Sequence, residues 1–274
     1  MTINSHDRNI SNSKTPNHLI LVPCHGIYKR GDPKQRNSWH LANFQIQGND
    51  HLCFIEHIER AHAELEKNPN AYLIFSGGET KIEAGPISEA FSYFKLYQEL
   101  YNEKVDYLKC TTENYATDSF ENVIYSFCRF YEVHGVYPEM VTIVGFEFKR
   151  DRFLKLHLHQ ALGYSVSAVI YIGNSPKLID SSKEEEEKYF KDLRNAEYNN
   201  AYELFKSDWY GIGHKLSKKK ISRNPFRRHH GYEQVNHKLV NLLRAMNQSS
   251  TSLVVEEQNF RIRKTIPSWN EIND

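Results

Sequence analysis

The residues Ser76-Gly77-Gly78-Glu79-Thr80 end one apolar run, Tyr72 to Phe75, and precede a helical pattern that begins near Pro86. Glycine admits positive φ and lets backbone approach a ligand closely, and free N–H groups at a turn or helix start attract anions. Gly77, Gly78 and the N–H groups near Thr80 could thus cradle a phosphate or carboxylate, with Lys149, Arg150 and Arg152 neutralising it. Four acids, Glu79, Glu89, Glu113 and Asp118, are too many for a simple anion pocket. Such groups bind ribose hydroxyls, hold a cation or act as general bases. His25-Gly26 follows another apolar run and adds a ring that can move protons.

The set divides into roles. His25 and Glu113 are the acid/base candidates, with Glu89 and Asp118 beside them as further catalytic carboxylates. Gly26, Ser76, Gly77, Gly78, Glu79, Thr80, Thr117, Asn122, Lys149 and Arg152 are the ligand-binding candidates. Each has a structural alternative: a tight turn for the glycines, first-turn carboxylates favoured by the helix dipole for Glu89 and Glu121, a cap for Asp118, an oriented structural histidine for His25. There is no Walker P-loop, no G-x-S-x-G elbow and no complete G-x-G-x-x-G, which removes the common ATPase, serine hydrolase and dinucleotide assignments.

These residues are far apart along the chain, so a fold must gather them. Short apolar runs at His18 to Pro23, Tyr72 to Phe75, Val105 to Cys110, Met140 to Val144 and Val166 to Ile172 read as strands. Helical patterns lie between them: Asn49 or Asp50 to Lys67, Pro86 to Tyr101, Asp118 to His134, and a stretch from about Arg152 to Gly163. Repeated β-loop-α alternation predicts a Rossmann-like α/β/α sandwich with a mainly parallel sheet of about five strands. In such a sheet the carboxyl ends share one edge, where His25, Glu79, Glu113 and Glu147 should converge. The loop from Lys29 to Gly48 is long, with Trp39 and Phe44 as expected anchors.

At 274 residues and 32.2 kDa the chain can bury a sizeable core. Residues 1–17 read as a disordered arm, 18–180 as the core, 181–247 as a helical and basic extension packed on it, and 248–274 as a tail with one docked segment. Net charge is +1, so no global field favours nucleic acid or an anionic membrane. No apolar stretch suits a signal peptide or a membrane span, and a cytosolic or nuclear location is expected. Cys24, Cys53, Cys110 and Cys128 are widely spaced, suggesting neither zinc nor disulfides, although Cys24 beside His25 admits a nucleophile. His51, His57 and His62 read as solvent-facing, and no metal site is expected. Seven cations and no carboxylate lie between Trp209 and Tyr232, namely Lys215, Lys218, Lys219, Lys220, Arg223, Arg227 and Arg228. That run fits a phosphate-binding segment, a nuclear address or an exposed basic loop.

The loop motifs together resemble a known family. His25-Gly26, the Ser76 to Thr80 turn with Ser88-Glu89, Glu113 followed by Thr117-Asp118-Ser119 and Asn122, and the strand leading to Arg152 look like domain of unknown function 218, which includes the SanA, ElyC and YdcF proteins. The likeness covers about Leu19 to Ile172. It implies a Rossmann-like fold and an enzymatic or nucleotide-binding site at the strand ends. Two departures stand out: Lys149 occupies the place of a histidine usual three residues before the arginine matching Arg152, and the membrane segment of the SanA-like and ElyC-like members has no counterpart here.

The leading expectation is an enzyme acting on a small phosphorylated or nucleotide-like metabolite by hydrolysis or group transfer, with no cofactor specified. The alternatives are a non-catalytic protein that binds a nucleotide-like ligand such as S-adenosylmethionine, and a protein-interaction module using the acidic helix around Glu184 to Glu187 and the basic run.

Overall fold

The computed structural model of the protein describes residues 15–247 and 255–274. Most of the expected arm and the start of the expected tail lie outside the described residues. In chain order the strands are β1 (His18–Pro23), β2 (Ile27–Tyr28), β3 (Trp39–His40), β4 (Ala71–Ser76), β5 (Cys110–Glu113), β6 (Met140–Phe146) and β7 (Val169–Asn174). Five of them form one parallel sheet in the order β5-β4-β1-β6-β7, and β2 pairs with β3 in a small antiparallel ribbon. Every residue of β1 and β4 is buried, which is why their sequences are continuous apolar runs rather than alternating ones.

The two faces of the sheet carry separate cores. Ile20, Val22, Leu73, Phe75 and Phe146 pack with α1 (Asp50–Lys67) and α2 (Glu89–Tyr101). Leu19, Leu21, Ile74, Val141 and Ile143 point the other way, toward α3 (Ser119–His134) and the π-helical segment Arg152–Leu162. Period-two alternation along each strand thus serves two apolar layers, and the molecule is a three-layer, Rossmann-like α/β/α sandwich.

Three expectations need correction. The third sheet strand forms at Cys110–Glu113, not Val105 to Cys110. Asp106 bends the chain first: its side chain accepts from the Leu108 N–H (2.9 Å) and its carbonyl from the Lys109 N–H (3.0 Å), so pairing with β4 starts only at Cys110. Trp39 is buried, but Phe44 is 74% exposed and anchors nothing. Asn17 is tied down rather than disordered, since its carbonyl accepts from the Glu139 N–H at 2.8 Å.

Beyond the sheet come α4 (Lys183–Glu197), α5 (Glu203–Ser207), α6 (His214–Ser222), α7 (Val240–Met246) and α8 (Val255–Arg263). Ser182 and Glu185 close a capping box on α4. Phe205, Tyr210, Leu216, Tyr232, Leu243 and Met246 join the same buried cluster as α3. Ile266 and Ile272 do so as well, and the partly buried Trp269 packs against that cluster and donates its indole N–H to the Leu162 carbonyl at 2.7 Å. No helix among the described residues is long and apolar enough to cross a membrane.

Candidate functional site

From β1 the sheet builds toward β4 on one side and β6 on the other, so the direction of winding reverses between β1 and β6. Open α/β sheets form their ligand crevice at this reversal, outside the carboxyl ends of the strands. There β1 runs into Cys24 and His25, and β6 into Glu147, Phe148 and Lys149. The His25 ring stacks on Phe146 with centroids 5.3 Å apart, and the His25 carbonyl accepts from Gln45 Nε2 at 3.0 Å. Lys149 Nζ lies 3.4 Å from His25 Nε2, over the rings of Phe146 (5.0 Å) and Phe148 (5.6 Å).

His57 on α1 completes this wall. It is fully buried, meets Phe146 edge-on at 5.1 Å, and bonds Asn174 Oδ1 through Nε2 at 2.7 Å. His51 is buried too, with Nε2 3.0 Å from the Lys34 carbonyl. Neither is solvent-facing as the helical pattern suggested: His57 lies against β6 and β7, and His51 is covered by the loop that carries Lys34. Among the described residues no three His, Cys, Asp or Glu side chains are grouped to hold a metal ion.

Charge is concentrated at this edge. Burial, then the nearby Lys149, His57, Arg152 and Arg223, hold the His25 ring well below the usual histidine value, so it is neutral near pH 7. Burial and the Arg152 cation bring Lys149 down to about 7. Glu89, on the first turn of α2, is pushed up to about 7 by burial, partly offset by the Thr80 hydroxyl, Lys81, Arg223 and Lys149. Asp50 is likewise raised to about 7 by burial, against the pull of Lys149. Titratable groups poised near the operating pH are what proton-transfer chemistry needs.

Arg152 is buried, with Nη1 3.3 Å from Glu197 Oε1 and, among the described residues, no hydrogen-bond partner for its Nε. It opens the π-helical segment, a rare geometry that tends to occur at functional sites. Arg150 and Glu147 do not join the site. They form an exposed bidentate pair at 2.6 and 2.7 Å.

The glycine turn does not cradle an anion through Gly77 and Gly78. Gly77 N–H donates to the Glu113 carbonyl (3.0 Å) and Gly78 N–H to the Ala116 carbonyl (2.7 Å), so both donors are spent. Neither glycine has positive φ. What they provide is close approach: a Cβ on Gly77 would meet Glu89 at 3.0 Å, and one on Gly78 the Ala116 carbonyl at 2.9 Å. Gly26 passes equally close to Phe54. The turn positions Glu89, whose carboxylate accepts from Thr80 Oγ1. Glu79 faces Arg228 at 3.5 Å.

Glu113 is not placed to exchange protons with a ligand. It is fully buried, and its two oxygens accept from Ser76 Oγ (2.7 Å), Tyr115 N–H (2.7 Å), Ala116 N–H (3.3 Å) and Tyr232 Oη (3.3 Å). Asn122 donates to Ser76 from the other side at 3.0 Å. Glu113, Ser76 and Asn122 therefore form an interior knot that fixes the loop after β5. Asp118 caps α3 by accepting from the Glu121 N–H at 2.8 Å, and Glu121 returns to the Thr117 N–H and hydroxyl. Lys220, 3.3 Å from Glu121, balances this pair of acids, so Asp118 and Thr117 belong to a helix start. Cys24 is buried, and burial with the Glu89 charge raises its thiol well above the usual range, which argues against a nucleophilic thiolate.

Several site residues carried no legible signal. Asp50 reads as a cap, Glu197 as one of many acids, and Lys219 and Arg223 as members of the basic run. Arg223 reaches the site's edge by donating Nη1 to the Thr117 carbonyl at 3.1 Å, and Lys219 shares electrostatic surroundings with Arg223, Arg152 and Glu197. Two surface hollows of about 420 and 510 Å³ lie along α4 and beside Arg36 and Asn49, and neither is lined by His25, Glu89 or Lys149.

The parallel sheet, the winding reversal and the polar residues gathered there define a doubly wound α/β protein with charged and titratable side chains at the carboxyl edge between β1 and β6. Within that class, the chain belongs to the family of the uncharacterised protein YOR238W of Saccharomyces cerevisiae, with which it is 40% identical over 262 residues, covering 79% of this chain and 86% of the relative. No protein-family profile and no solved structure matches the chain.

Proposed function

We propose that this edge of the sheet forms the cleft of an enzyme acting on a small phosphorylated or nucleotide-like metabolite, by hydrolysis or group transfer. One observation carries the reading: Lys149 Nζ lies 3.4 Å from His25 Nε2 where β1 and β6 end, and Arg152, three residues further on, and Arg223, at the end of α6, add positive charge around that ring, while Glu89 on the first turn of α2 titrates near 7. Cations from the segment after β6 and from the end of α6, near two groups able to carry a proton, suit an anionic substrate whose reaction moves a proton. In this reading Arg152, Arg223 and Lys149 hold the anion, and Glu89 and His25 are the proton carriers. The motif resemblance to domain of unknown function 218 supports the same placement. The basic run favours it over an interaction module, because Lys220 is turned onto Glu121 and Arg223 onto the Thr117 backbone.

Sulfate tests the reading, since its charge is constant from pH 6 to 8. Raising pH through 7 removes the Lys149 proton and ionises Glu89, so local charge falls by two units. Sulfate affinity measured by calorimetry should fall about tenfold or more across that range, and Glu89→Gln should flatten the profile. Arg223→Ala, at an exposed position, should weaken binding about tenfold at pH 6. A folded protein that binds neither sulfate nor adenosine monophosphate at pH 6 would refute the proposal.

A further inference from the structure

Anion binding alone does not account for the surroundings of Lys149. Among the described residues its amine has no carboxylate within ion-pair distance; its near polar neighbours are the two His25 ring nitrogens at 3.4 and 3.5 Å. Phe146 and Phe148 cover it, yet the side chain keeps partial access to solvent. Arg152 and Arg223 add positive charge nearby. A guanidinium would have bound an anion there with more donors and no sensitivity to pH. A lysine desolvated by aromatic rings and crowded by cations is instead the setting in which a free amine acts as a nucleophile on carbonyl substrates.

We propose that Lys149 forms an imine with the carbonyl carbon of a small phosphorylated aldehyde or ketone, whose phosphate is held by Arg152 and Arg223. This rests on the reading of the cleft as an anion site. The Nζ lone pair attacks the carbonyl carbon and the C=O π electrons move to oxygen. His25, in contact with Nζ and neutral, takes one amine proton and delivers it to that oxygen, giving a carbinolamine. The hydroxyl then leaves as water with a proton from the Glu89 carboxylic acid, while the nitrogen lone pair closes the C=N bond. The remaining proton on nitrogen returns to the Glu89 carboxylate. Amine and carbonyl become imine and one water, with no further reactant. The fall of Lys149 to about 7 and the rise of Glu89 to about 7 supply the free amine and the protonated acid together near neutrality.

Trapping by reduction tests this. The full chain is incubated at pH 7 with glyceraldehyde 3-phosphate and cyanoborohydride, then analysed by intact mass and peptide mapping. The expected result is one dominant adduct on Lys149, suppressed by excess sulfate, and formed roughly tenfold more slowly with unphosphorylated glyceraldehyde. Lys149→Arg should lose the adduct, while suppression of the wild-type adduct by sulfate reports the anion site independently. Sulfate binding without an adduct on Lys149, or adducts spread over surface lysines and unchanged in Lys149→Arg, would overturn the imine while leaving the anion site. Absence of both sulfate binding and adduct would overturn both.

Discussion

A chain ended after Asp180 should fail to fold, although all five strands of the large sheet are present. The apolar face of α3 and the π-helical segment is covered from beyond that point. Phe205, Tyr210, Leu216, Leu242, Leu243 and Met246 are all buried in the cluster that also contains Leu19, Ile74 and Ile143. Fully burying one such side chain contributes about 1.5–3 kcal/mol, and domains are stable by about 5–15 kcal/mol in total, so losing six, about 9–18 kcal/mol, is as large as the whole reserve. Polar contacts go as well: Tyr137 Oη loses Asn236 (3.0 Å) and its backbone N–H loses Asn273 Oδ1 (2.7 Å). The measurement is soluble yield with a circular-dichroism melt. A soluble truncated chain with a sharp transition near that of the full chain would show that the sheet needs no extension.

Glu113→Ala should lower the melting temperature by roughly 10 °C, the effect of a loss of about 3–5 kcal/mol. Two backbone N–H groups and the hydroxyls of Ser76 and Tyr232 would be left in the interior without an acceptor. Glu113→Gln should recover only part, because its amide nitrogen must face donors. Burial raises the Glu113 carboxyl to about 7 in the folded protein, against an ordinary value of 4.5. The folded state therefore holds a proton between those values that the unfolded chain releases, and the stabilisation is full below about 4.5 and lost as pH rises through 7. The penalty for Glu113→Ala should accordingly be larger at pH 5 than at pH 8. Sulfate affinity of the folded variant should stay near wild type. An intact melt with lost binding would instead return Glu113 to the cleft.

The sheet was largely legible because strands buried on both faces spell themselves out, as His18–Pro23 does without interruption. The strand Cys110–Glu113 was not, since Thr111, Thr112 and Glu113 read as a polar loop, while Glu113 is tolerated inside only through its four donors. At the site, strand ends pointed to His25 and Lys149, which lie in contact. Nothing in the spacing tells that Gly77 and Gly78 spend their N–H groups on neighbouring carbonyls, because free and satisfied donors have the same sequence. Nor does the run of acids from Glu184 to Glu187 indicate that Glu197, nearly three turns along the same helix, is the carboxylate that reaches Arg152. Such pairings depend on how a late segment returns to the sheet.

That return sets the order of events on the ribosome. The last strand of the sheet is complete at Asn174, yet Ile272 is part of the cluster over α3, so about a hundred more residues must be made before that face can close. At roughly 5–20 residues per second the interval lasts roughly 5–20 s, far longer than hydrophobic collapse. For those seconds the nascent chain exposes the apolar residues of the strands and of α3 that the later segment must cover. Synthesis and burial run in opposite order, and aggregation during translation, more than unfolding of the finished protein, is the hazard this architecture creates.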